Sequence, residues 1–145
     1  MAKGNPDIYG YPQYPKIGPV VDDTVVGFNI PSGVLTTVHN IAGKGVILGG
    51  NLSHVLTMDS SVTELVLTID GAVAMTQSPD LMWRAGARSA ESGPIFLTYF
   101  NLHFERFSLA FSRGITFEQS YVFQILQTDG LNRDVWSSVF YTRIL

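Results

Sequence analysis

The sequence predicts an all-β protein, an antiparallel jelly-roll-like β-sandwich preceded by an extended N-terminal arm. Hydrophobic and polar residues alternate in short runs, so that Leu65, Leu67 and Ile69 fall on one side of their segment, as in a strand with one buried face. Turn dipeptides such as Asp70-Gly71 separate these runs. No segment shows the 3.6-residue periodicity of an amphipathic helix.

The composition excludes several classes of protein. The 145 residues are 46% hydrophobic and only 14% charged, against about 25% charged in an average soluble domain. Aromatic residues at 12% and a net charge of −3 exclude a disordered chain, and the lack of cysteine excludes a disulfide or cysteine–zinc scaffold. So few charges indicate a surface partly covered by other subunits.

Neither nucleic acid nor a membrane is expected as a partner. A pI of about 5.4 with basic residues scattered singly disfavours binding driven by phosphate contacts. The longest uncharged stretch is interrupted by polar residues and a proline, so it does not resemble a transmembrane helix. The first residues also lack the basic-then-apolar pattern of a secretory signal.

Residues 1–22 differ from residues 23–145, which form the predicted β-sandwich domain. They hold four of the seven prolines, which remove hydrogen-bond donors and block helices. We therefore predict an extended arm. Tyrosines bury apolar area and keep a hydroxyl for hydrogen bonding, which suits docking into a partner; the alternative is that the arm wraps its own domain. The predicted contact residues are Tyr9, Tyr11, Pro12, Tyr14 and Pro15.

About eight strands are expected in the domain. They are placed at residues 24–30, 34–41, 45–56, 62–70, 71–76, 95–102, 104–111 with 115–117, 121–128 and 136–144. A tight turn at Gly43-Lys44-Gly45 separates the second and third, and Gly49-Gly50 predicts a bulge or a close approach. Asp70-Gly71 separates the fourth and fifth. The last two are β-branched and aromatic runs. Short strands with turn signals every 8–12 residues are typical of a sandwich, and a jelly roll suits the length.

Residues 77–94 are the one long irregular connection. A connection of this size is either functional or a crossover between sheets. It contains tryptophan, methionine and arginine, residue types enriched at the core of protein interfaces. We predict a second set of contact residues here, comprising Met82, Trp83, Arg84 and Arg88. The alternative is that Trp83 closes one end of the sandwich.

Two motifs suggest ligands but are better explained as structure. The glycine cluster at residues 43–50 departs from the dinucleotide fingerprint, because its third glycine falls one place late and strands flank it on both sides. The histidines His39, His54 and His103 lie 15 and 49 residues apart, whereas metal ligands usually include a closely spaced pair. No cofactor and no metal site is predicted.

Catalytic and calcium-binding motifs are equally weak. Residues 129–134 are rich in oxygen ligands but lack the order of a calcium loop, so a capped turn is expected. A glycosidase carboxylate pair could be supplied by Glu64, Glu105 and Glu118. Their positions on or beside strands, on faces exposed to solvent, are the ordinary explanation for these acidic residues. No nucleophile motif is present, and no catalytic residue is predicted.

Three segments in this order resemble small β-sandwich virion proteins of tailed bacteriophages. They are Val38–Gly50, Val66–Gly71 and Leu102–Leu109, followed by the hydrophobic strand Val139–Leu145. The resemblance covers residues 34–145. It implies turn-forming roles for Gly43, Gly45, Asp70 and Gly71, strand positions for Ser108 and Leu109, and no catalyst. The arm lies outside it, although extended arms are common in capsid decoration proteins.

These observations lead to an expected function. The protein is expected to be a non-enzymatic virion protein made in the host cytoplasm, a capsid decoration or cement protein. Its expected partners are the major capsid protein or other virion subunits and further copies of itself, with a trimer favoured. The alternatives are a tail or collar accessory protein and a carbohydrate- or receptor-binding module. The last predicts Trp83 or Trp136 in a shallow groove surrounded by Asp and Asn.

Overall fold

Two antiparallel sheets face each other across an apolar core in the computed structural model. The structure describes residues 17–54, 59–101, 103–104 and 106–144. The predicted all-β sandwich is confirmed. The predicted arm contacts lie outside the described residues; they are Tyr9, Tyr11, Pro12, Tyr14 and Pro15.

The described residues contain ten strands and one short α-helix. The strands are β1 (Ile17–Ile30), β2 (Thr36–Ala42), β3 (Gly45–His54), β4 (Thr63–Ile69), β5 (Ala72–Gln77), β6 (Ile95–Asn101), β7 (Arg106–Phe111), β8 (Thr116–Phe117), β9 (Ser120–Gln127) and β10 (Arg133–Ile144). Helix α1 (Pro79–Arg84) and a 3-10 turn (Ala90–Ser92) lie between β5 and β6. Each predicted strand has a counterpart, with ends shifted by at most three residues except at the start of β1.

Strand β1 begins at Ile17 rather than at the predicted residue 24. Residues 17–22, which the sequence placed in the arm, belong to this strand and pair with β10. The Thr142 hydroxyl also donates a hydrogen bond of 2.6 Å to the Gly18 carbonyl. The predicted boundary was wrong because Pro19 suggested an unpaired segment, whereas β1 is an edge strand, where a residue without an N–H is tolerated.

The strand order is that of a jelly roll. Sheet I has the order β1-β10-β3-β7-β6, with β8 pairing β3, and sheet II has the order β2-β9-β4-β5. Strands β1, β2, β3 and β4 therefore pair with β10, β9, β7 and β5 respectively, as in a long double ribbon wound into two sheets. Strand β6 extends sheet I by one strand at its edge.

Alternating side chains fill the space between the sheets. Leu52, Leu97 and Leu109 share one row across sheet I and are buried. Phe111 of sheet I meets Phe123 of sheet II edge-to-face, with ring centroids 5.0 Å apart, a favourable aromatic geometry. The two-residue period seen in the sequence thus corresponds to one face of each sheet.

The glycine turn at residues 43–45 crosses from sheet II to sheet I, between β2 and β3. Gly43 has a φ of 99°, and a side chain there would meet the Arg143 guanidinium. A Cβ on Gly45 would lie 2.7 Å from both the Phe117 ring and the Thr142 carbonyl. Larger residues are therefore excluded at Gly45 by packing and disfavoured at Gly43 by backbone conformation.

The Asp70-Gly71 turn does more than connect β4 with β5. Both residues have positive φ, 53° and 80°, as a type I′ hairpin turn requires. The Asp70 carboxylate also accepts hydrogen bonds of 2.7–3.1 Å from the backbone N–H groups of Gln119, Glu118 and Ser120. These bonds hold the pKa of Asp70 below its ordinary value, so the charged carboxylate ties the hairpin to the segment before β9.

Gly50 should tolerate a side chain much less well than its neighbour Gly49. Both have positive φ, but a Cβ on Gly50 would collide with the Ser138 carbonyl of β10, whereas a Cβ on Gly49 meets nothing within 4 Å. We expect Gly50→Ala to lower the free energy of unfolding by about 2 kcal/mol more than Gly49→Ala, measured by urea denaturation. Equal losses would contradict the close approach of β3 to β10.

Asp70→Asn should lower the melting temperature at pH 7, because the amide replaces a charged acceptor of three backbone bonds. The folded-state pKa of Asp70 is depressed, so this stabilisation is present above the ordinary value of 3.8 and lost as pH falls through the folded-state pKa. Thermal unfolding should therefore show wild type and variant converging in strong acid. Glu64→Gln, on an exposed position of β4, is the control, and a pH-independent gap would contradict this role.

Candidate functional site

The predicted contact loop contains helix α1, which the sequence analysis missed. The Ser78 hydroxyl accepts a hydrogen bond of 3.2 Å from the Leu81 N–H, and Pro79 occupies the first turn. After the cap at Ala85, Gly86 has a φ of 74°, which suits the residue following a helix. The Ser-Pro-Asp triplet at residues 78–80 is the local signal that could have predicted the start of this helix.

Helix α1 places the predicted contact residues in different environments, some buried and some exposed. Met82 is 0% exposed and belongs to the core, so its assignment to a partner contact was wrong. It was read as part of a loop, whereas on the helix it faces inward. Arg84 is exposed and its Nε lies 3.0 Å from the Asp80 carboxylate, a surface ion pair that contributes little to stability.

Trp83 and Arg88 come together beside β6. Trp83 is 39% exposed, and its ring centroid lies 5.5 Å from that of Phe100. The Arg88 guanidinium lies 4.8 Å from the Trp83 ring centroid, within cation–π distance. They line an open groove of about 530 Å³, here called the Trp83 groove. Its lining residues are Trp83, Arg88, Leu97, Thr98, Tyr99 and Phe100.

The Trp83 groove follows the edge of sheet I. Four of its lining residues are consecutive on β6, which is the edge strand. The Leu97 N–H donates a hydrogen bond of 2.8 Å to the Ala87 carbonyl, which holds the segment after α1 against this edge. The groove therefore lies on two elements fixed to each other.

The chemistry of the Trp83 groove favours a protein segment over a sugar. The lining offers three aromatic rings and one cation, and it contains no Asp or Asn, which the carbohydrate-binding alternative required. Trp136, the other aromatic residue named for that alternative, lies half-buried on β10. Its ring lies beside Gly27 of the neighbouring strand β1, 3.8 Å from the position that a Cβ on Gly27 would occupy. Aromatic residues and arginine are the types that dominate protein contacts.

A buried polar network connects the two sheets at His39. This side chain is 0% exposed. Its Nδ1 lies 2.8 Å from the Asp23 carboxylate, and its Nε2 lies 2.6 Å from the Ser137 hydroxyl, which is also 2.9 Å from the Asn51 carbonyl. Burial lowers the pKa of His39, against the opposing effect of Asp23. Because a carboxylate only accepts, His39 Nδ1 carries a proton and donates it to Asp23, whereas the single proton of the Ser137 hydroxyl is donated to the Asn51 carbonyl.

This arrangement has the order of a hydrolytic triad but not its setting. A catalytic serine must reach a substrate carbonyl, whereas Ser137 is 2% exposed and its side chain lies between the sheets. The network is therefore a connection between sheets I and II. The sequence indicated a structural histidine at His39, but its partners lie 16 and 98 residues away, beyond any local pattern.

The two candidate carboxylates that the structure describes, Glu64 and Glu118, do not form a pair. Glu118 lies 3.1 Å from the Lys44 ammonium, and Glu105 is outside the described residues. Glu64 pairs in register with Leu126, near the end of β9, whereas Glu118 precedes the start of β9 at Ser120. Six residues of strand separate these levels, about 20 Å, which is too far for a glycosidase pair.

No protein-family profile matches the chain, and no curated protein matches it. The resemblance to phage virion proteins therefore stays a prediction. Among the described residues, no group of three or more His, Asp or Glu side chains is arranged to hold a metal ion. The same part of the chain has no helix long and apolar enough to cross a membrane. Function is accordingly inferred from the Trp83 groove and the surfaces of the sheets.

His39 should make stability depend on pH. Its folded-state pKa is depressed, so below the ordinary value of 6.5 the unfolded chain binds a proton that the folded protein does not. The free energy of unfolding therefore falls as pH drops below 6.5. His39→Gln should cost about 2 kcal/mol at pH 7 and remove this slope in urea titrations at pH 5 and 7. His103→Gln, in an exposed turn, should retain it; an unchanged slope in His39→Gln would contradict the network.

Proposed function

We propose that the protein is a non-enzymatic virion structural protein of a tailed bacteriophage that decorates the capsid. In this proposal it binds the assembled shell, through the major capsid protein or a neighbouring virion subunit, and acts by contact rather than chemistry. The observation that carries the proposal is that the central rows of the outer faces of both sheets carry no charged side chain, although Asp22 and Glu64 are exposed two residues from these rows.

The outer face of sheet I has an uncharged row across all five of its paired strands. Thr24, Ser138, Asn51, Ala110 and Phe96 are neighbours in register, from β1 to β6. None is fully buried, so this row is open on the isolated chain. Depletion of charge is the compositional sign of an interface core.

The outer face of sheet II has the same character. Thr37, Gln124, Val66 and Thr76 form one row across its four strands. A second row is equally uncharged and comprises Asn40, Val122, Thr68 and Val73. Both broad surfaces of the sandwich therefore offer hydroxyl, amide and apolar groups.

Charged side chains lie mainly in turns and at strand ends, where several are paired. Lys44 pairs with Glu118 beside the glycine turn, and Arg133 with Asp129 in the turn before β10, at 3.1 and 2.7 Å. The low charge content of the chain is thus a property of its two broad surfaces. This distribution supports a protein that sits between neighbours.

The fold and the Trp83 groove add support of a more general kind. Jelly rolls occur in viral capsid proteins and in lectins, so the fold alone is an analogy. The groove lacks the Asp and Asn side chains that a lectin site would need, which favours the virion role. Several modest contacts on one subunit would together bind more tightly through avidity. A protein that binds the assembled shell but not its separate subunits would also stabilise the shell.

A lysine on the outer face of sheet I should weaken shell binding. Tyr99 of the Trp83 groove pairs in register with Ser108, so this face and the groove adjoin, and sheet I is assigned to the shell. We expect Asn51→Lys to raise the dissociation constant at least tenfold, roughly 1.4 kcal/mol, because it buries an unpaired charge. The measurement is co-sedimentation with shells purified from the virus that encodes the chain.

Gln119→Lys is the matched control for this experiment. Gln119 lies in an exposed turn beside the charged residues Glu118 and Asp70, away from the uncharged row. It should bind shells as the wild type does. The proposal is overturned if the wild-type protein stays in the supernatant, or if Asn51→Lys binds shells as tightly as Gln119→Lys.

A further inference from the structure

We propose that the Trp83 groove of one copy binds residues 9–15 of a second copy of the chain. This contact deepens the proposed function by naming a partner, the chain itself, but it requires no shell. The groove already described is open, with Trp83 39% and Tyr99 50% exposed. An exposed tryptophan beside an exposed tyrosine is a surface that an extended segment can cover.

Residues 9–15 have the composition that such a groove accepts. They read Tyr-Gly-Tyr-Pro-Gln-Tyr-Pro, with three tyrosines, two prolines and no charge. Proline-rich segments dock in grooves lined by aromatic side chains, because their backbone is restricted before binding. The tyrosine rings would stack on Trp83 and Tyr99, and their hydroxyls could remain hydrated at the rim.

A single pair of opposite charges supports the same segment, although residues 1–16 also contain Lys3 and Lys16. Asp7 is the one acidic residue among residues 1–16 and lies two positions before Tyr9. Arg88 is the one charged residue of the groove lining, and no carboxylate accompanies it there. With Tyr9 in the groove, Asp7 would lie within reach of the Arg88 guanidinium, which fixes the direction of the segment.

The dimensions of sheet I exclude the groove of the same copy. Strand β1, where the segment joins the domain, and β6, which lines the groove, are at opposite edges, four strand spacings or about 19 Å apart. Ile17 pairs with Ile144, whereas Leu97 shares a row with Ser137, seven residues along β10, about 23 Å further. Together these perpendicular displacements amount to roughly 30 Å.

The segment is too short for that distance. Pro12, at its centre, is five residues from Ile17, and five fully extended residues span at most about 18 Å. The groove that residues 9–15 can fill therefore belongs to another copy. Because each copy supplies one segment and one groove, the contact is heterologous, and it closes a ring or continues as a chain of copies.

A mixing experiment with the full chain tests this contact. One variant, Tyr99→Ser, weakens the groove at an exposed position; the other replaces Tyr9, Tyr11 and Tyr14 by Ser and removes the segment's rings. Sedimentation velocity should show concentration-dependent association of the wild type and at least tenfold weaker association of each variant alone. An equimolar mixture should form a dimer, because it restores one intact groove and one intact segment.

Leu131→Ser is the matched control, since Leu131 is an exposed apolar residue in the turn before β10. It should associate as the wild type does. Circular dichroism checks that every variant is folded, and Arg88→Ala replaces Tyr99→Ser if the latter is not. The proposal is overturned if the wild type is monomeric, if the triple variant associates normally, or if the mixture stays monomeric. Because no shell is present, these outcomes are independent of the decoration experiment.

Discussion

The alignment of the two sheets depends on the hydrogen bonds of His39. Its nitrogens face Asp23 and Ser137 on the opposite sheet. At one end of the sandwich the buried Gln127 amide, on β9, donates to the Ile30 carbonyl of β1 at 3.0 Å. A buried polar group left unpaired costs about 1–3 kcal/mol, and a one-residue slip would turn His39 to the outer face. These bonds select one register among those that an aliphatic core alone would permit.

The winding of the ribbon places the proposed contact surfaces. The chain leaves sheet II after β5 and enters sheet I at β6, with α1 between them. The Trp83 groove is therefore a product of this crossover, at the one edge where sheet I gains an extra strand. Since polar connections such as that of His39 lie inside the sandwich, the central rows of both outer faces carry no charged side chain. The strand order thus determines both where the Trp83 groove lies and which side chains form the outer faces of the sheets.

The residues that were predicted well are those whose signal is local. Asp70-Gly71 indicates a hairpin turn from two adjacent residues, and the alternation around Leu67 indicates one buried face. Met82 and Trp83 show the limit of this approach. Read as a loop, both were interface candidates; on α1 they point to different sides, so one is buried and the other exposed. The capping pattern at residues 78–80 would have resolved this, because it specifies the helix and hence the facing of its side chains.

The sequence by itself determined the all-β class, most strand positions, the turns and the low charge of the surface, because each follows from the period and type of neighbouring residues. The tertiary structure alone decided that residues 17–22 pair with β10, that Asp70 binds the segment before β9, and that His39 meets Asp23 and Ser137. These contacts join residues up to 127 positions apart. Which distant strands pair depends on the free energy of the whole sandwich, so the pairing cannot be predicted from a local sequence pattern.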